Sequence, residues 1–165
     1  MSHFPFFVEL AEETALLIGD VSQAKEDILT SFGCRTLRCN VLTEELLDDL
    51  SPALVVIEQG DPRNETWACL CRVRSIPVNV VDTPELCTFF FPAMVRRGDL
   101  TAAISTSGKS PAMGVEIKAK LEELLPEDLA CAVEELFVLR SDLMHLSANE
   151  RSSILRRKAK EFLKF

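Results

Sequence analysis

Short apolar runs alternate with segments of helical periodicity along the first two-thirds of the chain. The apolar run at 15–18 leads through Gly19 into residues 22–32, where apolar side chains recur every three or four positions. This alternation is typical of βα units that feed a parallel sheet, so it predicts an α/β fold with a Rossmann-like parallel sheet. The predicted strands are 15–18, 35–38, 54–57 and 78–81, and the predicted helices are 22–32, 43–50 and 64–74.

The pattern changes after Asp82, and from Ser110 onward it predicts helices only. We therefore predict two domains, a Rossmann-like domain over residues 1–110 and a helical domain over residues 111–165. The segments after the change are a turn at 82–85, an aromatic stretch at 89–94, a strand at 100–105, helices at 110–125 and about 126–146, and a basic segment at 149–164.

Composition and charge narrow the function classes. Asp and Glu number 26 against 18 Lys and Arg, which gives a formal charge of −8. This negative charge disfavours electrostatic binding of nucleic acid or of an anionic membrane over an extended surface, so neither is expected as a partner. The longest apolar run, 86–95, is too short to span a bilayer and is broken by Pro92. Six cysteines without a secretion signal indicate reduced thiols in a cytoplasmic protein.

The turn after the first predicted strand carries part of a dinucleotide-binding fingerprint. Gly19 can make the tight turn, but Val21 stands where a second glycine normally lets the backbone approach a pyrophosphate. Asp20 adds a negative charge beside the same anion, and Asn40, rather than a carboxylate, is the polar residue nearest the end of the second strand. On these residues alone, dinucleotide binding and an α/β turn without a ligand are equally supported.

Asn79 and Asp82 mark the end of the last predicted strand of the sheet. The carboxyl ends of parallel strands face the ligand crevice of open α/β folds, so Asp82 is a candidate general acid or base. The alternative is that Asp82 only caps the turn toward Pro84. The residues alone favour the cap by roughly two to one, because Asp is common in turns.

Two clusters offer local anion-binding chemistry in this acidic chain. Arg96 and Arg97 form the first cluster, just before Gly98. The second combines hydroxyls, a glycine, a lysine and a helix start, and consists of Thr106, Ser107, Gly108, Lys109 and Ser110. A helix N-terminus with hydroxyls suits a carboxylate or a phosphate, although a plain helix cap explains the segment equally well. The two histidines, His3 and His145, lie far apart, so no metal site is expected.

Three motifs occur in a characteristic order: IPVNVVDTPELC at 76–87, FPAMVRRG at 91–98 and LTAAISTSGKSPA at 100–112. With them, the chain resembles the N-terminal half of siroheme synthase, in the family of precorrin-2 dehydrogenases and sirohydrochlorin ferrochelatases. A weaker match, FPFFV at 4–8, extends the resemblance to the start of the chain. Nearly the whole sequence is therefore covered.

The resemblance implies a Rossmann domain, a dimerisation segment at about 84–110 that interlocks two chains as a homodimer, and a small helical C-terminal domain. In the family, NAD oxidises the tetrapyrrole precorrin-2 to sirohydrochlorin, and the same site can insert ferrous iron. The aspartate of the N-V-V-D motif, here Asp82, is the family's essential residue, which moves our interpretation of Asp82 from a turn cap to catalysis. The implied NAD-binding residues are Gly19, Asp20, Val21, Asn40, Glu58 and Gln59. The implied tetrapyrrole-binding residues are Asn79, Arg96, Arg97, Thr106, Ser107, Gly108, Lys109 and Ser110.

Two segments depart from the family pattern. Members usually show Gly-Gly-Gly where this chain has residues 19–21, and an Ala-Thr-Asp-Asp-like loop where it has residues 58–61. We expect the Val21 side chain to occupy space that the pyrophosphate needs, and Asp20 and Glu58 to repel it. The leading hypothesis is an NAD-dependent precorrin-2 dehydrogenase that can also act as a ferrochelatase. The alternative is a non-redox descendant that binds a tetrapyrrole as a chelatase, carrier or regulator without NAD.

Overall fold

The computed structural model describes residues 4–163. The chain forms two compact units, Met1–Phe91 and Pro92–Phe165. The sequence analysis draws its boundary later, at residue 110. The structure assigns residues 92–110 to the second unit, because this stretch forms a hairpin that packs against the first helix of that unit.

The first unit is built on a four-stranded parallel sheet with strand order β2-β1-β3-β4. The α/β fold with a parallel sheet that the sequence predicts is confirmed. The elements are β1 (Thr14–Ile18), α1 (Gln23–Ser31), β2 (Arg35–Cys39), α2 (Glu44–Leu50), β3 (Leu54–Ile57), α3 (Asn64–Val73) and β4 (Val78–Val80), followed by a 3-10 turn at Pro84–Leu86.

The core of the first unit lies on both faces of this sheet. Successive residues of a strand point to opposite faces, so β1 sends Leu16 to one face and Leu17 to the other. Trp67 of α3 packs on the first face and Leu29 of α1 on the second. Strands β1 and β3 are therefore enclosed between two helical layers, which explains why they appear as continuous apolar runs in the sequence, whereas the edge strand β2 stays largely exposed.

Local signals set the helix ends. Thr43 caps α2, since its hydroxyl accepts a hydrogen bond from the Leu46 N–H at 3.2 Å. Gly33 follows α1 with a φ of 76°, in the left-handed region that favours glycine. Both ends agree with the sequence analysis.

The second unit pairs an antiparallel hairpin with three helices. Its elements are β5 (Ala93–Arg97), β6 (Leu100–Ile104), α4 (Pro111–Leu124), α5 (Leu129–Asp142), a 3-10 turn at Leu143–His145, and α6 (Ala148–Phe162). The sequence analysis predicts β6 and the helices but not β5. Gly98, with a φ of 57°, makes the turn that pairs β5 with β6.

Apolar side chains stay exposed on the helices of the second unit. Phe137 of α5 is 67% exposed and Val115 of α4 is 60% exposed. Others on these two helices and the turn after them are Met113, Ile117, Leu124, Val138 and Met144. Among residues 4–163, no helix is long and apolar enough to cross a membrane.

Candidate functional site at the carboxyl edge of the parallel sheet

The turn from β1 to α1 requires glycine at its first position. Gly19 has a φ of 82°, and its N–H donates to the Cys39 carbonyl at the end of β2, 2.9 Å away. A Cβ on this residue would lie 3.0 Å from the Glu58 Cβ, which is closer than side chains tolerate. The glycine therefore creates a narrow backbone cradle at the carboxyl ends of β1 and β3, where open parallel sheets bind ligands.

Val21 does not obstruct this cradle. Its side chain is 1% exposed and packs in the core with Ala15, Leu29 and Val56. The expectation that Val21 fills the space of a pyrophosphate is therefore wrong, because the side chain points into the protein.

A charged network ties β2 to the turn. The Arg38 guanidinium donates to the Val21 carbonyl at 3.0 Å and pairs with the Glu26 carboxylate at 2.6 Å. Glu26 also accepts a hydrogen bond from the Thr36 hydroxyl at 2.6 Å. The bond from Thr36, followed by those from Arg38, holds the pKa of Glu26 below its usual value. No sequence motif identified these three residues, because Thr36 and Arg38 lie 10 and 12 positions away from Glu26.

The loop after β3 forms the other side of the cradle. Glu58 is half-buried and Gln59 exposed, and the Gln59 N–H donates to the Glu58 carboxylate at 3.0 Å. Asn64, at the start of α3, fixes this loop by donating from its side-chain amide to the Glu58 carbonyl at 2.9 Å. Asp20 and Asn40 are exposed on the turns that follow β1 and β2. All six residues predicted to bind NAD thus follow strands at the carboxyl edge of the sheet.

Asp82 lies at the same edge, on the turn that follows β4. The Val81 N–H donates to the Ile57 carbonyl at the end of β3, 2.9 Å away, and so places this turn beside the Glu58 loop. Asp82 itself is exposed and has a φ of 51°, a left-handed conformation that Asp adopts more readily than most residues. Its carboxylate makes no hydrogen bond or ion pair within residues 4–163.

Cys87 organises the Asp82 turn, and sequence reasoning treated it only as a packing residue. Its sulfur accepts from the Val80 N–H at 3.2 Å and lies 3.4 Å from the Thr83 carbonyl, to which the thiol can donate. Burial raises the pKa of the Cys87 thiol, so the thiol keeps its proton. Asn79, predicted to bind substrate, is only 6% exposed, and its amide donates to the Phe89 carbonyl at 3.0 Å. Both residues support the turn from within.

The predicted anion-binding loop lies in the second unit. Ser110 caps α4 by accepting from the Met113 N–H at 3.4 Å, and its own N–H donates to the Thr106 hydroxyl. Ser107 and Gly108 both have positive φ, and Lys109 is exposed beside them. The loop thus places the Lys109 cation beside the N-terminus of α4, a helix of 14 residues, as the sequence predicts.

The two arginines of the other cluster differ in their surroundings. Arg96 is exposed and its Nε donates to the Gly98 carbonyl at 3.2 Å. Only 11% of the Arg97 side chain is exposed. Its guanidinium donates to the Leu125 carbonyl at 2.7 Å and pairs with the Glu127 carboxylate at 3.3 Å. Arg97 therefore caps the end of α4, whereas the Arg96 side chain is exposed.

No group of three or more potential metal ligands exists in the part of the chain that the structure describes. His145 contacts the Asp142 carbonyl at 2.9 Å at the end of α5. His3 lies outside the described residues.

Comparison with known proteins gives the chain its family. A family model described as "Putative NAD(P)-binding" matches residues 8–93. The chain belongs to this NAD(P)-binding family. The match contains all four strands of the parallel sheet and the turns that carry Gly19 and Asp82.

The names of two relatives of this chain both refer to siroheme synthesis. Siroheme synthase from Psychrobacter sp. (strain PRwf-1) is 35% identical over 149 residues, which cover 77% of this chain and 31% of that protein. Siroheme biosynthesis protein met8 from Schizosaccharomyces pombe is 32% identical over 112 residues, which cover 68% of this chain and 42% of that protein. The chain thus spans less than half the length of either relative.

A solved structure has the same fold. It is named "SirC, precorrin-2 dehydrogenase" and matches with a TM-score of 0.63 and 19% sequence identity. The match covers 94% of this chain and 88% of that chain.

Proposed function

We propose that this chain is an NAD-dependent precorrin-2 dehydrogenase, which oxidises precorrin-2 to sirohydrochlorin in siroheme biosynthesis. The observation that carries the proposal is the neighbouring position of two turns at one sheet edge. The Gly19 cradle contacts Glu58, and the hydrogen bond from Val81 to Ile57 brings the exposed Asp82 beside the same loop. The names of the relatives, siroheme synthase and siroheme biosynthesis protein met8, support a role in siroheme synthesis.

The turn after β1 fits a dinucleotide. Gly19 keeps the turn free of a side chain beside Glu58, and the Val21 side chain is buried in the core. Backbone N–H groups and the dipole at a helix N-terminus favour an anion such as a pyrophosphate. We propose that the backbone of this turn binds the pyrophosphate and that Asp20, Asn40, Glu58 and Gln59 border the cofactor site. The carboxylates of Asp20 and Glu58 oppose rather than strengthen binding of the pyrophosphate. When bound, NAD supplies the acceptor for a hydride.

Asp82 takes the proton in this proposal. Oxidation of precorrin-2 to sirohydrochlorin removes two electrons and two hydrogens, one as a hydride from a ring carbon and one as a proton. The exposed carboxylate of Asp82 accepts the proton and passes it to water. Cys87 and Asn79 fix the turn that carries this carboxylate.

The substrate's acetate and propionate groups need cations and hydroxyls. Arg96, Lys109 and the capped start of α4 at Ser110 offer both, and we propose that they bind substrate carboxylates. Insertion of ferrous iron into the product is a second activity of the proposal, with iron as a substrate and with Asp82 as its acid-base group.

We also propose that the chain is a cytoplasmic homodimer. The exposed apolar side chains of α4 and of α5 are faces that a second copy would cover. All six cysteines are free thiols, which fits a reducing compartment.

An anaerobic turnover assay tests the function. Purified protein is mixed with precorrin-2 and NAD, and the absorbances of sirohydrochlorin and NADH are followed together. The proposal predicts one NADH for each sirohydrochlorin. Tetrapyrrole binding or iron insertion without any NADH formation contradicts it and supports the non-redox alternative.

A further inference from the structure

We propose that Arg38 is the positioning residue of the dinucleotide turn: through the Val21 carbonyl, it holds the backbone ahead of α1 in the shape that presents N–H groups to a pyrophosphate. This inference rests on the proposed binding of NAD. It adds to that proposal a residue outside the glycine fingerprint, on the neighbouring strand.

The Arg38 guanidinium makes contacts in two directions. Its Nη1 donates to the Val21 carbonyl at 3.0 Å, while Nε and Nη2 donate to one oxygen of Glu26 at 3.0 and 2.6 Å. Because guanidinium is planar and its donors are fixed relative to one another, anchoring on Glu26 also fixes the direction of the bond to Val21.

Glu26 is itself held in place. It belongs to the first turn of α1, and its second oxygen accepts from the Thr36 hydroxyl on β2 at 2.6 Å. The network therefore joins strand β2, helix α1 and the turn between β1 and α1.

The turn needs such support because it has one glycine. Gly19 takes the left-handed conformation, and Val21 is anchored by its side chain in the core and by its carbonyl on Arg38. A peptide unit is planar and trans, so its C=O and N–H point in opposite directions. With the Val21 carbonyl turned to Arg38, the Ser22 N–H points away from Arg38, and it donates to no protein group in residues 4–163.

The charge of Arg38 does not account for the arrangement. Glu26 neutralises the guanidinium at 2.6 Å, so attraction of a phosphate by this pair is weak. The feature that distinguishes Arg38 is its bond to the backbone of the turn.

Calorimetric titration of Arg38→Ala with NAD and with NADP tests the inference. We expect the dissociation constant to rise roughly tenfold, the effect of losing one hydrogen bond from a charged donor. The factor should be equal for NAD and NADP, because both carry the same pyrophosphate. Binding of sirohydrochlorin should not change. The matched control is Arg35→Ala, which removes an exposed arginine from the same strand, one that contacts the Glu12 carbonyl instead of the turn.

Two further variants separate positioning from other roles. Arg38→Lys keeps the charge but cannot bond Val21 and Glu26 in one fixed geometry, so we expect it to stay closer to Arg38→Ala than to the wild type. Glu26→Gln keeps the shape of the network and should weaken NAD binding a few-fold, which preserves a readout if Arg38→Ala does not fold.

The following results would overturn the inference. Unchanged NAD binding in Arg38→Ala does so, as does full rescue by Arg38→Lys, which indicates a charge effect. A loss confined to NADP indicates direct contact with its additional phosphate. If the wild type binds no dinucleotide, the proposed function fails together with the inference, whereas binding that Arg38→Ala leaves unchanged removes only the inference.

Discussion

The two units of this chain differ in how far they bury their own apolar surface. In the first unit, β1 and β3 are sealed on both sides, and Leu16, Leu17 and Val55 are fully buried. In the second unit, as far as the structure describes it, the buried apolar residues are Val95, Leu129 and Ala132, while Phe137 is 67% exposed. A self-contained sheet can hold a site rigidly at its edge, whereas open helical faces need another surface to cover them. Changes at the sheet edge of the first unit should therefore alter cofactor binding and chemistry, and changes on the exposed apolar helix faces of the second unit should alter assembly.

The largest effect is expected at Asp82. Asp82→Asn should reduce precorrin-2 oxidation by roughly a hundredfold or more, because the amide cannot accept the proton. NAD binding and the dimer should be unchanged. The measurement is the rate of NADH formation, with Glu85→Gln as the control, an exposed carboxylate three residues further along. Turnover at the wild-type rate in Asp82→Asn removes the aspartate from the mechanism.

Formation of the proposed dimer should depend on the exposed Phe137 side chain of α5. Phe137→Glu places a charge on the exposed apolar face and should raise the dimer dissociation constant by about thirtyfold or more, the cost typical of an interface hot spot. Sedimentation velocity across a concentration series measures the change. Ser152→Glu adds the same charge at an exposed polar position of α6 and serves as the control. Equal sedimentation of the wild type and Phe137→Glu contradicts a partner on this face.

The variant Val21→Gly tests whether the Val21 side chain obstructs NAD binding or only packs in the core. Val21→Gly removes a buried side chain and adds backbone freedom, so the free energy of unfolding should fall by about 2 to 4 kcal/mol. NAD binding should not improve. Urea denaturation and NAD titration measure the two effects, with the exposed neighbour Ser22→Gly as the control. Tenfold tighter NAD binding in Val21→Gly would mean that the valine does occupy the pyrophosphate space.

The smallest effect concerns the pH dependence of stability. Bonds from Thr36 and Arg38 lower the pKa of Glu26 from its ordinary 4.5. A carboxylate with a lowered pKa stabilises the fold at pH values above its unfolded pKa, and this contribution disappears as the pH falls through the folded pKa. The wild type should therefore exceed Glu26→Gln in urea midpoint at pH 7, and the difference should vanish well below pH 4.5. A difference that persists in strong acid rules out the ionised Glu26 as its source.

Much of the fold could be predicted because parallel strands buried on both faces leave unbroken apolar runs, as at 15–18 and 54–57. Strand β5 was missed because the stretch before Gly98 mixes aromatic and basic residues without alternation. Its pairing depends on the turn at Gly98 and on packing against α4, which a local pattern does not encode.

The site could be predicted as a set of residues, while their roles needed the fold. Counting glycine positions identified the turn but gave the wrong direction for the Val21 side chain, because spacing does not say which face a residue takes. The bond from Arg38 to Val21 joins residues 17 positions apart, and the contacts of Cys87 form only once the chain has turned at Asp82. These supporting residues leave no motif in the sequence.

Calorimetric titration of the purified chain with NAD is the most direct test of the central claim, that the carboxyl edge of the first unit's sheet is a dinucleotide site. The account predicts saturable binding of one NAD per chain, weakened by Arg38→Ala and unaffected by Asp82→Asn. Titration of the folded wild type without saturable heat would contradict it.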